Sequence, residues 1–129
     1  MLFRSIINVS GLGARQAGSI LTSMRNVSVA ALAKNLADQL GPHGINVTVV
    51  HPGLTRTERT ADKVKSQAAK QGVSEADVEK QMAAHNSINH IVDAREVAWV
   101  VTFLASPRSI AINGDTIAAG GGVGKGIFY

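Results

Sequence analysis

At 129 residues and 45% hydrophobic, the chain is the size of one ordinary globular domain, with apolar material for one core. It contains no cysteine, which excludes a disulfide framework and a thiolate metal site, and nothing in it suggests secretion. The formal charge is +4, but the basic residues are scattered and there is only one Trp and one Tyr for base stacking, which argues against a nucleic-acid surface. Aromatics are scarce while Ala, Val, Ile and Gly are plentiful, the texture of α/β proteins with aliphatic buried parallel strands.

In chain order, Arg4 to Val9 ("RSIINV") reads as a strand ending at Ser10-Gly11, followed by a small-residue loop. The opening "MLFRSIINVSGLG" lacks the long apolar core of a signal peptide, and the apolar runs are too short to span a bilayer, so a soluble cytoplasmic protein is expected. From Ile20 to Leu40 the spacing predicts a long helix whose apolar positions Val29, Leu32, Leu36 and Leu40 recur every three or four residues. Gly41 is its expected C-cap, and Pro42 cannot continue it. "INVTVV", Ile45 to Val50, is the clearest strand and is closed by His51-Pro52-Gly53. The polar segment that follows, to about Ser87, reads as one or two exposed helices, with Ser74 and Asp77 forming an N-cap with an acidic first turn. A further helix begins near Asp93 and runs to Ser106, stopped by Pro107, and Gly114 to Gly120 is the last strand. This order implies right-handed crossovers and parallel strands in one sheet of about three strands, within a single unit.

Taken together, "IINVSG", "ALAKNLADQLGPHGINVTVVHPGLTRT" and "REVAWVVTFLASPRSIAINGDTIAAGGG" resemble the C-terminal half of a short-chain dehydrogenase/reductase. The resemblance covers nearly the whole chain and is weakest between Glu58 and Ser87, where that family varies its substrate loop. It implies an α/β fold, the C-terminal part of a Rossmann-like doubly wound parallel sheet, binding NAD or NADP. It also implies a chain truncated ahead of the family's fifth strand, without the Gly-rich fingerprint that receives the pyrophosphate, and therefore inactive alone or dependent on a missing N-terminal half. "GGGVGKG" does not replace that fingerprint. A phosphate loop needs Gly where Ala119 stands, Ser or Thr where Gly126 stands, and a helix beyond.

In the family a tyrosine exchanges the proton, a lysine one helical turn later lowers the tyrosine's pKa, and a serine at the preceding strand end orients the substrate oxygen. A phenol with an unperturbed pKa near ~10 needs such a cation to work at neutral pH. The match places Thr22 at the tyrosine position and Asn26 at the lysine position. An alkyl hydroxyl is too weak an acid, and Asn26 is uncharged, so the usual mechanism does not fit. Arg25 supplies a cation but lies about 100° around the helix from Asn26. Tyr129, the one tyrosine, stands far from this helix in sequence. Ser10 occupies the serine position and is the catalytic candidate, beside the plainer reading of a turn hydroxyl. Gly53, Thr55 and Thr57 match the positions that hold the nicotinamide carboxamide, beside the plainer reading of a turn that starts the next helix. His51 has the pKa of a surrogate base but is read as locally hydrogen-bonded. His85 and His90 lack a second ligand at metal spacing, so no metal is expected. Without the fourth strand of the family, Ser5 to Val9 becomes an exposed apolar sheet edge, and a homo-oligomer is expected. The alternative to a divergent oxidoreductase is a non-catalytic oligomerising or binding module.

Overall fold

The computed structural model of the chain describes residues 3–128, so Tyr129 lies outside the described residues. Strand β1 (Arg4–Val9) and helix α1 (Ile20–Leu40) run as the sequence predicts. The Ser19 hydroxyl accepts the Thr22 N–H at 3.4 Å and starts the helix. Its end falls at the expected C-cap, Gly41, whose N–H donates to the Ala37 carbonyl. Gly41 keeps a right-handed φ of −53° and leads into a short 3-10 turn, Gly41–His43. Pro42 fits the first positions of that turn, and the left-handed residue is Gly44, at φ 73°.

Strand β2 (Ile45–Pro52) runs two residues longer than the aliphatic stretch predicts, because His51 and Pro52 pair with the last strand. The polar segment folds as a two-residue strand β3 (Thr55–Arg56) and helices α2 (Thr60–Gln71) and α3 (Glu75–Ala83). Ser74 and Asp77 form the full reciprocal cap at the start of α3. Strand β4 (Val92–Asp93) pairs in parallel with β3, a contact the sequence did not suggest. Helix α4 (Ala94–Ala105) is capped by Asp93 with Glu96 reciprocating, and gives way at Ser106 ahead of Pro107. The last strand, β5, is Thr116–Ala119, shorter than predicted because Gly114, at φ 74°, belongs to the preceding turn.

The main sheet has the order β1-β2-β5, all parallel. Successive side chains of a strand face opposite ways, so a central parallel strand covered on both faces needs a continuous apolar run. β2 supplies it. Val47 and Val49 pack against Ala33 and Ala37 of α1. Thr48 and Val50 are equally buried and face the layer that α4 provides across β1 and β2.

The helix face that meets the sheet is set by small residues. Ala33 and Ala37 are 1% and 2% exposed, flanked by Val29, Leu36 and Leu40, whereas Leu32 is 54% exposed. The expectation that Leu32 faces the core is thus corrected: Cβ-only side chains let the helix lie close to β2, and the contact centres on them. α2 and α3 bury a small cluster of their own, Val64, Ala68 and Val78 with Met82 against it, and Arg56 ties β3 to α3 through Glu79 at 3.1 Å.

Among the described residues β1 pairs only with β2, leaving Ile6 and Val9 partly open. The outer side of α1 carries Ile20, Leu21 and Met24, all well exposed. No helix among the described residues is long and apolar enough to cross a membrane.

Candidate active site

The C-terminal ends of β1 and β2 lie side by side. The Ser10 N–H donates to the Val50 carbonyl at 2.9 Å, extending the ladder one residue past β1 and setting Ser10 beside His51. Register and alternation put Asn8, Ser10 and His51 on the sheet face that α1 covers. Asn8 Nδ2, Ser10 Oγ and His51 Nδ1 are all buried without a hydrogen-bond partner among the described residues. A buried donor or acceptor left unpaired costs about 1–3 kcal/mol. All three lie at one end of one sheet face. Burial, and secondarily the Arg15 charge, hold the His51 pKa below its ordinary 6.5, so its imidazole is neutral at neutral pH.

Thr22 and Asn26 lie one turn apart on α1 and both meet the loop after β1. A Cβ on Gly13 would stand 2.9 Å from Thr22 Cγ2 and 3.0 Å from Asn26 Nδ2, so only glycine lets helix and loop approach this closely. Asn26 is 6% exposed. The site therefore presents a serine hydroxyl, a threonine hydroxyl and a buried carboxamide, with neither phenol nor ammonium on this helix face.

A cleft of about 400 Å³ opens next to these residues, with Leu12, Gly13 and Gln16 on one side, Pro52 and Gly53 on another, and His85 and Val123 closing it. Gly53 is there because two glycines cross: a Cβ on Gly53 would stand 2.9 Å from the Cα of Gly120. The Thr55 hydroxyl donates back to the Gly53 carbonyl at 3.0 Å and so rigidifies the turn. Thr57 sits further out, with its N–H bonded to the Thr60 hydroxyl at the first residue of α2. Of the three positions matched to the carboxamide site, only Gly53 lines the cleft.

His85 and Val123 are wall residues that the sequence did not single out for this cleft. They arrive because the chain after α3 is pinned to the glycine-rich C-terminal segment: Ser87 N–H donates to the Gly121 carbonyl at 3.1 Å, and Asn86 bridges to Val123. Asn86 is itself braced by its side chain, which donates to the His90 carbonyl at 2.6 Å.

A parallel sheet with helices on both faces, a serine at one strand end and a Pro-Gly turn at the next form part of a Rossmann-like doubly wound architecture. The sequence profile described as Enoyl-(Acyl carrier protein) reductase matches residues 4–124, and the chain belongs to the short-chain dehydrogenase/reductase family. It is 33% identical over 127 residues to the NADPH-dependent reductase BacG of Bacillus subtilis (strain 168), covering 97% of this chain and 49% of that protein. It is 31% identical to the short-chain reductase protein NovJ of Streptomyces niveus, covering 91% and 44%. Among solved structures, YwfH, an NADPH-dependent reductase involved in bacilysin biosynthesis, is similar with a TM-score of 0.80 and 32% identity over 94% of this chain and 47% of that one. A short-chain dehydrogenase family protein from Francisella tularensis subsp. tularensis SCHU S4 has the same TM-score at 27% identity, over 91% and 49%. The chain spans about half the length of the curated relatives it matches.

Gly53 leaves the cleft wall bare, while the Ser10 hydroxyl is buried at the end of β1. Asn26, buried against Gly13, carries no charge.

Proposed function

We propose that this chain is the C-terminal part of an NAD(P)-dependent oxidoreductase acting on an alcohol or carbonyl, a single incomplete Rossmann-like unit that is inactive alone. The observation that carries this reading is the placement of Thr22 and Asn26 against Gly13, beside the unpartnered hydroxyl of Ser10. In such a reaction the reduced nucleotide supplies hydride to the carbonyl carbon, and a proton must reach the oxygen. Ser10 would orient that oxygen and Gly53 would face the carboxamide, from the turn that Thr55 and Thr57 continue. Neither Thr22 nor Asn26 supplies the proton at neutral pH, because a threonine hydroxyl has no strong base beside it and a carboxamide does not titrate. Incubating the 129-residue chain with NADPH or NADH and a panel of aldehydes and ketones is expected to give no turnover above background. Steady consumption of either nucleotide would overturn the proposed inactivity.

A second reading is favoured by the open apolar edge of β1 and by Ile20, Leu21 and Met24 on α1. It makes the chain a non-catalytic, self-associating module, soluble in the cytoplasm. Calorimetric titration with both nucleotides separates the two, because saturable binding by the isolated chain sinks the purely structural module.

A further inference from the structure

A second, more enclosed cavity of about 160 Å³ adjoins the cleft and shares Leu12, Gln16 and Val123 with it. Two cations, Arg15 and Lys125, line it beside the apolar Leu12, Ala118, Val123 and Phe128, and the glycine-rich segment 120–126 forms much of the remaining rim. Gly121, Gly122 and Gly124 have φ of 68°, 80° and 83°, the left-handed conformation that folds this segment back over Arg15 and Gln16.

Arg15 is held in place before anything binds. Its Nη2 donates to the Thr116 carbonyl at 3.1 Å and to the Thr116 hydroxyl at 2.7 Å, and its guanidinium lies 4.8 Å over the Phe128 ring. A guanidinium has five N–H donors in a rigid fork, so these contacts leave donors to spare. Among the described residues Arg15 enters no ion pair. Asp115 shares a separate hollow with Arg15 and lines neither the cleft nor this cavity. The field of Arg15 also reaches His51, whose protonation it opposes.

We infer that this cavity is an anion site, and that the substrate of the neighbouring cleft is a carbonyl compound carrying a carboxylate or phosphate. The inference rests on the oxidoreductase reading of the cleft for its carbonyl, but the anion site stands on Arg15, Lys125 and the glycine backbone alone. A pre-positioned guanidinium in a half-closed cavity binds an anion by charge-assisted hydrogen bonds, while exposed Lys125 adds a screened attraction at the mouth.

The test compares phenylpyruvate with phenylacetone, which share a benzyl ketone and differ in carrying a carboxylate or a methyl on the carbonyl, by calorimetry and saturation-transfer NMR on the 129-residue chain without nucleotide. Phenylpyruvate is expected to bind about ten-fold or more tightly than phenylacetone. Lys125→Gln, at an exposed position, should narrow the ratio about two- to five-fold, and Lys125→Arg should restore it. Arg15→Gln should abolish the preference, with a circular dichroism melt reporting whether its fold is intact. Inorganic phosphate as competitor separates the sources: displacement of phenylpyruvate identifies a site that also accepts phosphate, and retention identifies one selective for carboxylate. Equal affinity for the two probes, no binding of phenylpyruvate at millimolar concentration, or an unchanged ratio in Lys125→Gln overturns the inference. Failure of nucleotide binding or turnover leaves these titrations untouched, so the two readings fall separately.

Discussion

Protonating His51 means placing a charge on a residue that is 1% exposed and already faces Arg15. Its folded pKa therefore lies below its ordinary 6.5, and the unfolded chain binds more protons wherever the pH lies between the two values. Stability is full above 6.5 and falls as the pH drops through the unfolded value towards the folded one. The depressed carboxylates Asp77, Glu79 and Glu96 act in a lower window, since their ordinary values are 3.8, 4.5 and 4.5. Urea denaturation between pH 7.5 and pH 5 is thus expected to show a falling midpoint, and His51→Gln should flatten it. An identical slope in the variant would show that His51 does not titrate on unfolding. At this scale Ser10, Gly53 and the missing tyrosine and lysine were legible in the sequence, because residue type at a strand end or helix turn carries them. The lack of partners for Ser10 and His51 was not, because it depends on what α1 and the neighbouring strand place around them.

Helix α1 was read correctly in extent and at three of its four apolar positions, Val29, Leu36 and Leu40, but not at Leu32. Its ends, Ile20 and Leu40, follow from a serine cap and the Gly-Pro that closes it. Its buried face does not follow from the largest apolar residues, since the leucine at 32 points outward while alanines 33 and 37 touch the sheet. Overfilling a tightly packed contact typically costs about 1–3 kcal/mol, so Ala33→Leu should destabilise by that amount in urea unfolding. Ala31→Leu, at an exposed position on the same helix, should stay within about 0.5 kcal/mol. Equal effects would mean the helix does not sit on the sheet as described. The cap of α3 was equally plain from Ser74 and Asp77, and the start of α4 near Asp93, though not the capping role of Asp93. The β3–β4 pairing was not, because two-residue strands carry no periodicity. The closure of the cleft by His85 and Val123 was likewise hidden, since it joins segments remote in sequence.

For the whole molecule, the open question is what covers β1 and the outer side of α1. Val9 is 62% and Met24 64% exposed, on elements that carry further exposed aliphatic residues. Analytical ultracentrifugation at micromolar concentration is expected to show a homo-oligomer, and charges at these positions, Val9→Lys and Met24→Lys, should shift it towards monomer. A stable, fully folded monomer under those conditions would count against self-association.

The topology also bears on how the chain reaches this structure. Arg4 registers with Ile45 and Val49 with Thr116, and the three-stranded sheet contains no hairpin. Each ladder can form only after a long loop has closed, whereas α1, α2 and α3 need only local contacts. During folding the aliphatic runs of β1 and β2 therefore stay unpaired after the helices have formed. Such segments associate between chains at high concentration. Recovery of the folded protein should accordingly depend on how dilute the chains are while the sheet assembles.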